Sequence, residues 1–471
     1  MTTSITTGFE VTTHDRLLDQ IIEEQSEIFV RRQPKSGAAA AQARSVLAGG
    51  ATSNWQIAEP QPVWVSHGSG SHVFDIDGTE YADFHGGYGV SLAGHAHPAI
   101  VRAVEERVRL GTHFAQPVDD ALVVAGNLAE RFDQPLWRFA NSGTEATMDA
   151  VHLMRAFTGR DLILKLEGGY HGHHDSVQVS VLPDAEDVGP ADHPHRVPGN
   201  TGIPKAILDL VVVVPFNDLD AVRRALDEHP GQIAGMILEP VMMNAGIIHP
   251  DPGYLAGLRD LLHDRGALLT YDEVKTGLTT GPGGVTRLSG VTPDLVCLAK
   301  AMGGGVPTAA VGGRPDVMGL IADGVYEQVG TFNGNPLAMA SARAMLTEVL
   351  TPEAYDHLEY LRQRMVTGIE RVVAEHGLPW RLITAGSKGR ISFSGRPIRN
   401  YRDFLEIDDR YGQAHWLIQH NEGVFLPPWG KVEQWLISVQ HTDADVDTFV
   451  GNVERFARLL AGDSSTAPHG G

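Results

Sequence analysis

The chain has 471 residues, of which 42% are hydrophobic and 20% charged; 37 basic against 58 acidic side chains leave a formal net charge of −21. That length provides for two or three packed units, and so acidic a composition argues against nucleic-acid or anionic-membrane binding, which need basic surface. The single cysteine, Cys297, rules out an intrachain disulfide and fits a reducing, cytoplasmic setting.

The segment Met1 to Glu10 is polar and lacks the order of a signal peptide. No apolar run approaches the roughly 20 residues that span a bilayer, so no membrane association is expected. Residues 12–48 read as helical, with Leu17, Leu18, Ile21 and Ile22 at helical spacing. A Gly/Pro-punctuated stretch, Gly49 to Pro62, follows. Val63 to Asp83 alternates around two turns, Gly68-Ser69-Gly70 and Asp77-Gly78, and predicts short antiparallel strands. His95-Ala96-His97-Pro98 reads as a helix-entry turn.

From about residue 120 strands and helices alternate. Strand-like runs lie at Trp137–Phe139, Leu162–Leu166, Leu210–Val214, Ile233–Leu238, Leu268–Tyr271, Leu295–Leu298 and Ala309–Val311. Helical segments such as Glu145–Thr158, Leu219–Glu228 and Gly253–Asp264 lie between most of them. This predicts an α/β fold with a mostly parallel sheet covered on both faces, and ligands in such sheets sit at the carboxyl ends of strands. A long helical stretch, Leu337 to Gly377, leads into a smaller unit at about 378–461, and a Gly/Ser/Pro-rich tail from Gly462 reads as disordered.

Four motifs carry chemistry. Asn141-Ser142-Gly143-Thr144-Glu145 opens a helix with small and hydroxylated residues, which suits a phosphate; the same residues read equally as a capping box, and the two are compatible. Asp272, in Tyr271-Asp272-Glu273-Val274, ends an apolar strand, where a buried carboxylate needs a partner. A protonated pyridine nitrogen would be one, and a helix amide another. Lys300 ends the next strand, 28 positions on, before Gly303-Gly304-Gly305. In a low-dielectric site such a lysine is nucleophilic; on the surface it merely snorkels. Gly169-Tyr170-His171-Gly172-His173-His174-Asp175 offers a ring to stack on a flat cofactor. Its histidines have no second cluster at ligand spacing, so no metal is expected.

Together these segments, with LEPVMMNAG (238–246) and GTFNGNPLAMA (330–340), resemble the class III aminotransferases of the fold-type I pyridoxal-phosphate enzymes over about Val63 to Asp445. Within that class the similarity is greatest to the glutamate-1-semialdehyde aminomutase-like and β-amino-acid aminotransferase group. The resemblance implies a large domain with a seven-stranded sheet (86–345) and a smaller α+β domain from both chain ends (1–85 joining 346–461), with the tail at 462–471. It implies pyridoxal 5'-phosphate as cofactor, held as a Schiff base on Lys300. Asp272 would pair with the ring nitrogen, and Tyr170 would stack on the ring. Ser142, Gly143 and Thr144 would bind the phosphate, with Thr331 reaching it from the neighbouring subunit of a homodimer whose site lies at the subunit interface. Glu239 and Asn244 would lie near the ring hydroxyl, and Tyr88 would line the substrate pocket. The partners implied are a small-molecule amino donor and a carbonyl acceptor.

The aminomutases of this group carry an arginine after their Gly-rich entry segment. Here Gly49-Gly50-Ala51-Thr52-Ser53-Asn54-Trp55-Gln56 has none. Lys275, Arg390 and Arg396 remain as candidates for a substrate carboxylate, and Trp55, Trp429 and Trp435 for an aromatic pocket.

Overall fold

The computed structural model describes residues 13–428, 430–432 and 434–462. The polar segment Met1 to Glu10, Trp429 and the tail beyond Gly462 lie outside the described residues.

Three short strands come first: β1 Val65–Ser69, β2 His72–Asp75 and β3 Glu80–Asp83. The seven apolar runs that follow become β4 Leu136–Ala140, β5 Leu162–Leu166, β6 Val211–Val214, β7 Ile233–Leu238, β8 Leu268–Asp272, β9 Leu295–Leu298 and β10 Ala309–Gly313. They form one sheet in the order β4-β10-β9-β8-β7-β5-β6. Neighbours from β9 to β6 pair in parallel. β10 runs antiparallel to both β9 and β4. Its reversal follows from the short connection 299–308, which leaves no length for a crossover helix. β7, β8 and β9 are buried at every position, as a sheet covered on both faces requires. Each Leu or Ile so enclosed contributes about 1.5–3 kcal/mol.

Proline sets the helix boundaries that periodicity alone had run together. The expected helix at 12–48 is two, Thr13–Arg32 and Pro34–Ala43. The expected stretch Leu337 to Gly377 is Pro336–Ala344, one π turn at Met345–Val349, and then Pro352–Glu375, where Thr351 caps the new start.

The later segments form β11 Arg381–Ala385, β12 Lys388–Ser392, β13 Val424–Phe425 and β14 Trp435–Leu436. β11, β12 and β14 make an antiparallel sheet, while β13 pairs in parallel with β3 and extends the N-terminal sheet. The first helix packs on Asp409–Asn421: the Phe29 and Trp416 rings lie 5.2 Å apart, and Asn421 Nδ2 donates to Gln25 Oε1 at 2.9 Å. Among the described residues no helix is long and apolar enough to cross a membrane.

Candidate active site

Five strands deliver their following residues to one edge of the sheet. β4 leads to Ser142–Thr144, β5 to Tyr170 and His171, β7 to Glu239, β8 ends in Asp272, and β9 leads to Lys300. All of these line a single cavity of about 300 Å³.

Asp272 is buried. Its Oδ1 accepts from the Val274 N–H at 3.0 Å, and its Oδ2 lies 2.8 Å from Nδ1 of the buried His171. An ionised carboxylate only accepts, so Nδ1 carries the proton. The neighbouring Glu273 faces the other way, into a fully made network. It accepts from the Val285 and Thr286 N–H groups and from the hydroxyls of Thr276 and Thr286, all at 2.7–2.8 Å.

Lys300 stands in the left-handed backbone region, φ 49°, a conformation costing a lysine about 1–2 kcal/mol. It is enclosed, with some surface left towards the cavity. Burial lowers its pKa, against the opposing pull of Asp272 and Glu239. Glu239 is fixed by the N–H groups of Tyr170 at 3.1 Å and Met243 at 2.9 Å and by Asn244 Nδ2 at 2.9 Å.

The Ser142 segment, which lines the same cavity, forms the capping box. Ser142 Oγ accepts from Glu145 N–H and the Glu145 carboxylate accepts from Ser142 N–H, each at 3.2 Å, closing a capping box at the start of Gly143–Thr158. Two glycines make the close approach possible. A Cβ on Gly143 would sit 3.0 Å from the Val274 side chain, and one on Gly172 (φ 101°) 2.7 Å from Thr144 Cα.

Residues 56–455 match the family model described as aminotransferase class-III. The chain belongs to the class III aminotransferases. It is 36% identical over 436 residues to glutamate-1-semialdehyde 2,1-aminomutase of Bacillus subtilis, covering 91% of this chain and 99% of that one. Among solved structures, an omega-transaminase from Sphaerobacter thermophilus superposes with a TM-score of 0.87 at 33% identity, covering 92% of this chain and all of that one. A glutamate-1-semialdehyde aminomutase from Pseudomonas aeruginosa PAO1, in complex with PMP, gives 0.87 at 28%, covering 94% and 99%.

Pyridoxal phosphate is the cofactor of this aminotransferase, and the cavity fits it. A helix N-terminus flanked by hydroxyls suits the phosphate. Lining the same cavity are a buried carboxylate backed by an imidazole and an enclosed amine.

On the substrate side a second cavity of about 640 Å³ adjoins the first and shares Tyr170, Asn244 and Lys275 with it. Trp55 packs edge-on against Tyr88 and Tyr170, at 5.1 and 5.5 Å, and the Tyr88 hydroxyl donates to the Trp55 carbonyl at 2.7 Å. Thus Trp55, Tyr88 and Lys275 are brought together here. Arg396 is not: it is 82% exposed and paired with Glu406 at 2.8 Å, away from both cavities, because β12 has ended before it. Arg390 is buried over the Phe404 ring, 5.9 Å from its centroid, and lines neither cavity. Trp435 is core, stacked edge-on against Phe449. Thr331 is exposed and outside its own chain's cavity.

Two residues were missed in the sequence. His171 drew notice only as a metal ligand; its position next to Tyr170 at a strand exit, pointing oppositely, was the available signal. Lys388 sits in a strand that periodicity did not resolve. Among the described residues no three His, Cys, Asp or Glu side chains are grouped to hold a metal.

Proposed function

We propose that this class III aminotransferase moves an amino group from an amine or amino acid, β- and ω-amino compounds included, to a keto acid or aldehyde in two half-reactions. The carrying observation is the shared cavity that holds the Lys300 amine, the His171-backed Asp272 carboxylate and the Ser142–Thr144 helix start. Bound there, pyridoxal phosphate supplies an electron sink that acidifies the hydrogen on the amine-bearing carbon. The chain's own residues do the rest. Lys300 Nζ, whose pKa burial lowers, takes that proton and returns it to the cofactor carbon on the other side of the nitrogen. Asp272 holds a proton on the ring nitrogen, and His171 fixes the carboxylate's orientation. Ser142, Gly143 and Thr144 anchor the phosphate, and Thr331 completes that anchor from a second subunit. Glu239 and Asn244 hold the ring hydroxyl, and Tyr170 covers the ring. Tyr88 and Trp55 shape the entrance.

The division of the chain at residues 85 and 345 belongs to the same reading, supported by the pairing of β13 with β3. So does a cytoplasmic homodimer, supported by the exposed Val329, Thr331 and Phe332 and the single, buried Cys297.

Relatives named as aminomutases support a second reading, in which the amino group returns to the same substrate. That chemistry requires a firm grip on one substrate, and Trp55 stands in the segment where the group's arginine is missing. Mixing the holoenzyme with an amino donor alone separates the two. Amino transfer releases one equivalent of carbonyl product per site, and an added acceptor restores the starting absorbance. An isomerised donor with no released carbonyl compound contradicts it.

A further inference from the structure

Two lysines in the substrate cavity form no ion pair among the described residues. Lys388 in β12 is 1% exposed, and Lys275 follows Asp272 by three residues. Both line the 640 Å³ cavity, with Asn244 and Gln434 beside them. Among the described residues neither ammonium forms an ion pair or a hydrogen bond; Glu239 and Asp272 act on Lys275 only through space.

Lys388 has only lysines as charged neighbours, while Glu239 and Asp272 pull Lys275 part of the way back towards its charged form. A Cβ on Gly89 would lie 3.6 Å from Lys388 Nζ and 3.7 Å from Lys300 Cδ, so all three lysines crowd one space. His85 faces the pair and is held down to about 4, by burial first and with both lysines adding to it. Arg390, two residues along β12, is turned onto Phe404. The acids nearest Lys275 are engaged elsewhere: Glu239 by backbone amides and Asn244, Asp272 by His171. Asp83 is taken by His95 at 2.6 Å. In a chain of net charge −21, these enclosed amines are pushed towards their neutral forms, and a ligand that brings negative charge favours their protonation.

We propose that Lys275 and Lys388 together seat a substrate carboxylate, so that an anionic donor or acceptor is gripped by two lysines instead of an arginine. The proposal rests on the amino-transfer reading and names its substrate class. A lysine pair differs from an arginine in one testable way, because lysines titrate. Burial, then repulsion from Lys300, holds Lys275 down to about 7, and burial with the neighbouring lysines holds Lys388 well below its ordinary value. A bound carboxylate favours the charged forms and raises both. Binding therefore takes up protons, and affinity falls as pH rises above about 7, where the free Lys275 amine is neutral.

The test is calorimetric titration of the holoenzyme with glutarate, a dead-end dicarboxylate, and with neutral glutaramide, at pH 7.5 in two buffers of different protonation enthalpy. The expected result is glutarate binding with net proton uptake and much weaker glutaramide binding. Lys388→Met and Lys275→Met should each weaken glutarate by about tenfold or more, with Lys388→Arg recovering most of the loss. Should Lys388→Met fail to fold, Lys275→Met and Lys388→Arg carry the comparison. Glutarate affinity within about twofold of the parent in Lys275→Met with cofactor absorbance intact, equal binding of glutaramide, or no proton uptake would each overturn the seat. Failure of amino transfer itself registers separately, as absence of released carbonyl product, and leaves the glutarate titration readable.

Discussion

A carboxylate buried at position 272 is tolerable because Val274 N–H and His171 already hold both its oxygens, and it keeps acceptor capacity for a ring N–H. In the proposed mechanism, replacing it by an amide removes the negative charge that keeps the ring protonated. Asp272→Asn should fold, retain part of its cofactor, and lose about 10²–10⁴-fold in kcat; near-parent turnover would remove Asp272 from that role. His171 acts through Asp272 and is a positioning residue. His171→Phe keeps the volume but frees Oδ2, so kcat should drop by about tenfold. The bound cofactor's absorbance should also titrate at lower pH than in the parent, a readout that a purely structural defect would not move. An unchanged titration midpoint would contradict the assignment.

At the scale of elements, the strand that delivers Tyr170 and His171 is tied to the C-terminal part of the chain by one ion pair. Arg402 grips Glu167 through two hydrogen bonds, at 2.8 and 2.7 Å, and also donates to the carbonyls of Gly189 and Val188. Glu167 is 2% exposed at its side chain. Arg402→Ala strands that carboxylate, whose pKa burial already raises, and should cost about 3–5 kcal/mol in urea unfolding. A loss under about 1 kcal/mol would mean that the pair is dispensable. The central elements were legible in the sequence because β7 to β9 are continuous apolar runs buried on both faces, which periodicity reports directly. Asp272 and Lys300 were legible because one ends and the other follows such a run, and Ser142 because it caps the helix after β4. What the sequence hid were features set by tertiary contact: β10 reversing direction, the breaks at Pro34 and Pro352, His171 turned inward onto Asp272, and Lys388 brought across from a distant strand. Arg396 shows the converse error, a charge of the right type left on the surface by the end of β12.

For the whole molecule, Val329, Thr331 and Phe332 form an exposed, partly apolar segment next to the mouth of the site, at 83% and 58% exposure for the two hydrophobic residues. Light scattering behind gel filtration should return twice the chain mass, and Thr331→Ala should keep that mass while releasing cofactor several-fold faster. A fully active monomer would contradict the shared phosphate anchor. In the proposed mechanism one amine, that of Lys300, carries the cofactor, although Lys165, Lys275 and Lys388 are also enclosed and held low by burial. Borohydride reduction of the holoenzyme followed by peptide mass mapping tests this most directly. A pyridoxyl adduct on Lys300, absent in Lys300→Ala, is the predicted result; an adduct on any of the other three lysines, or none, would contradict it.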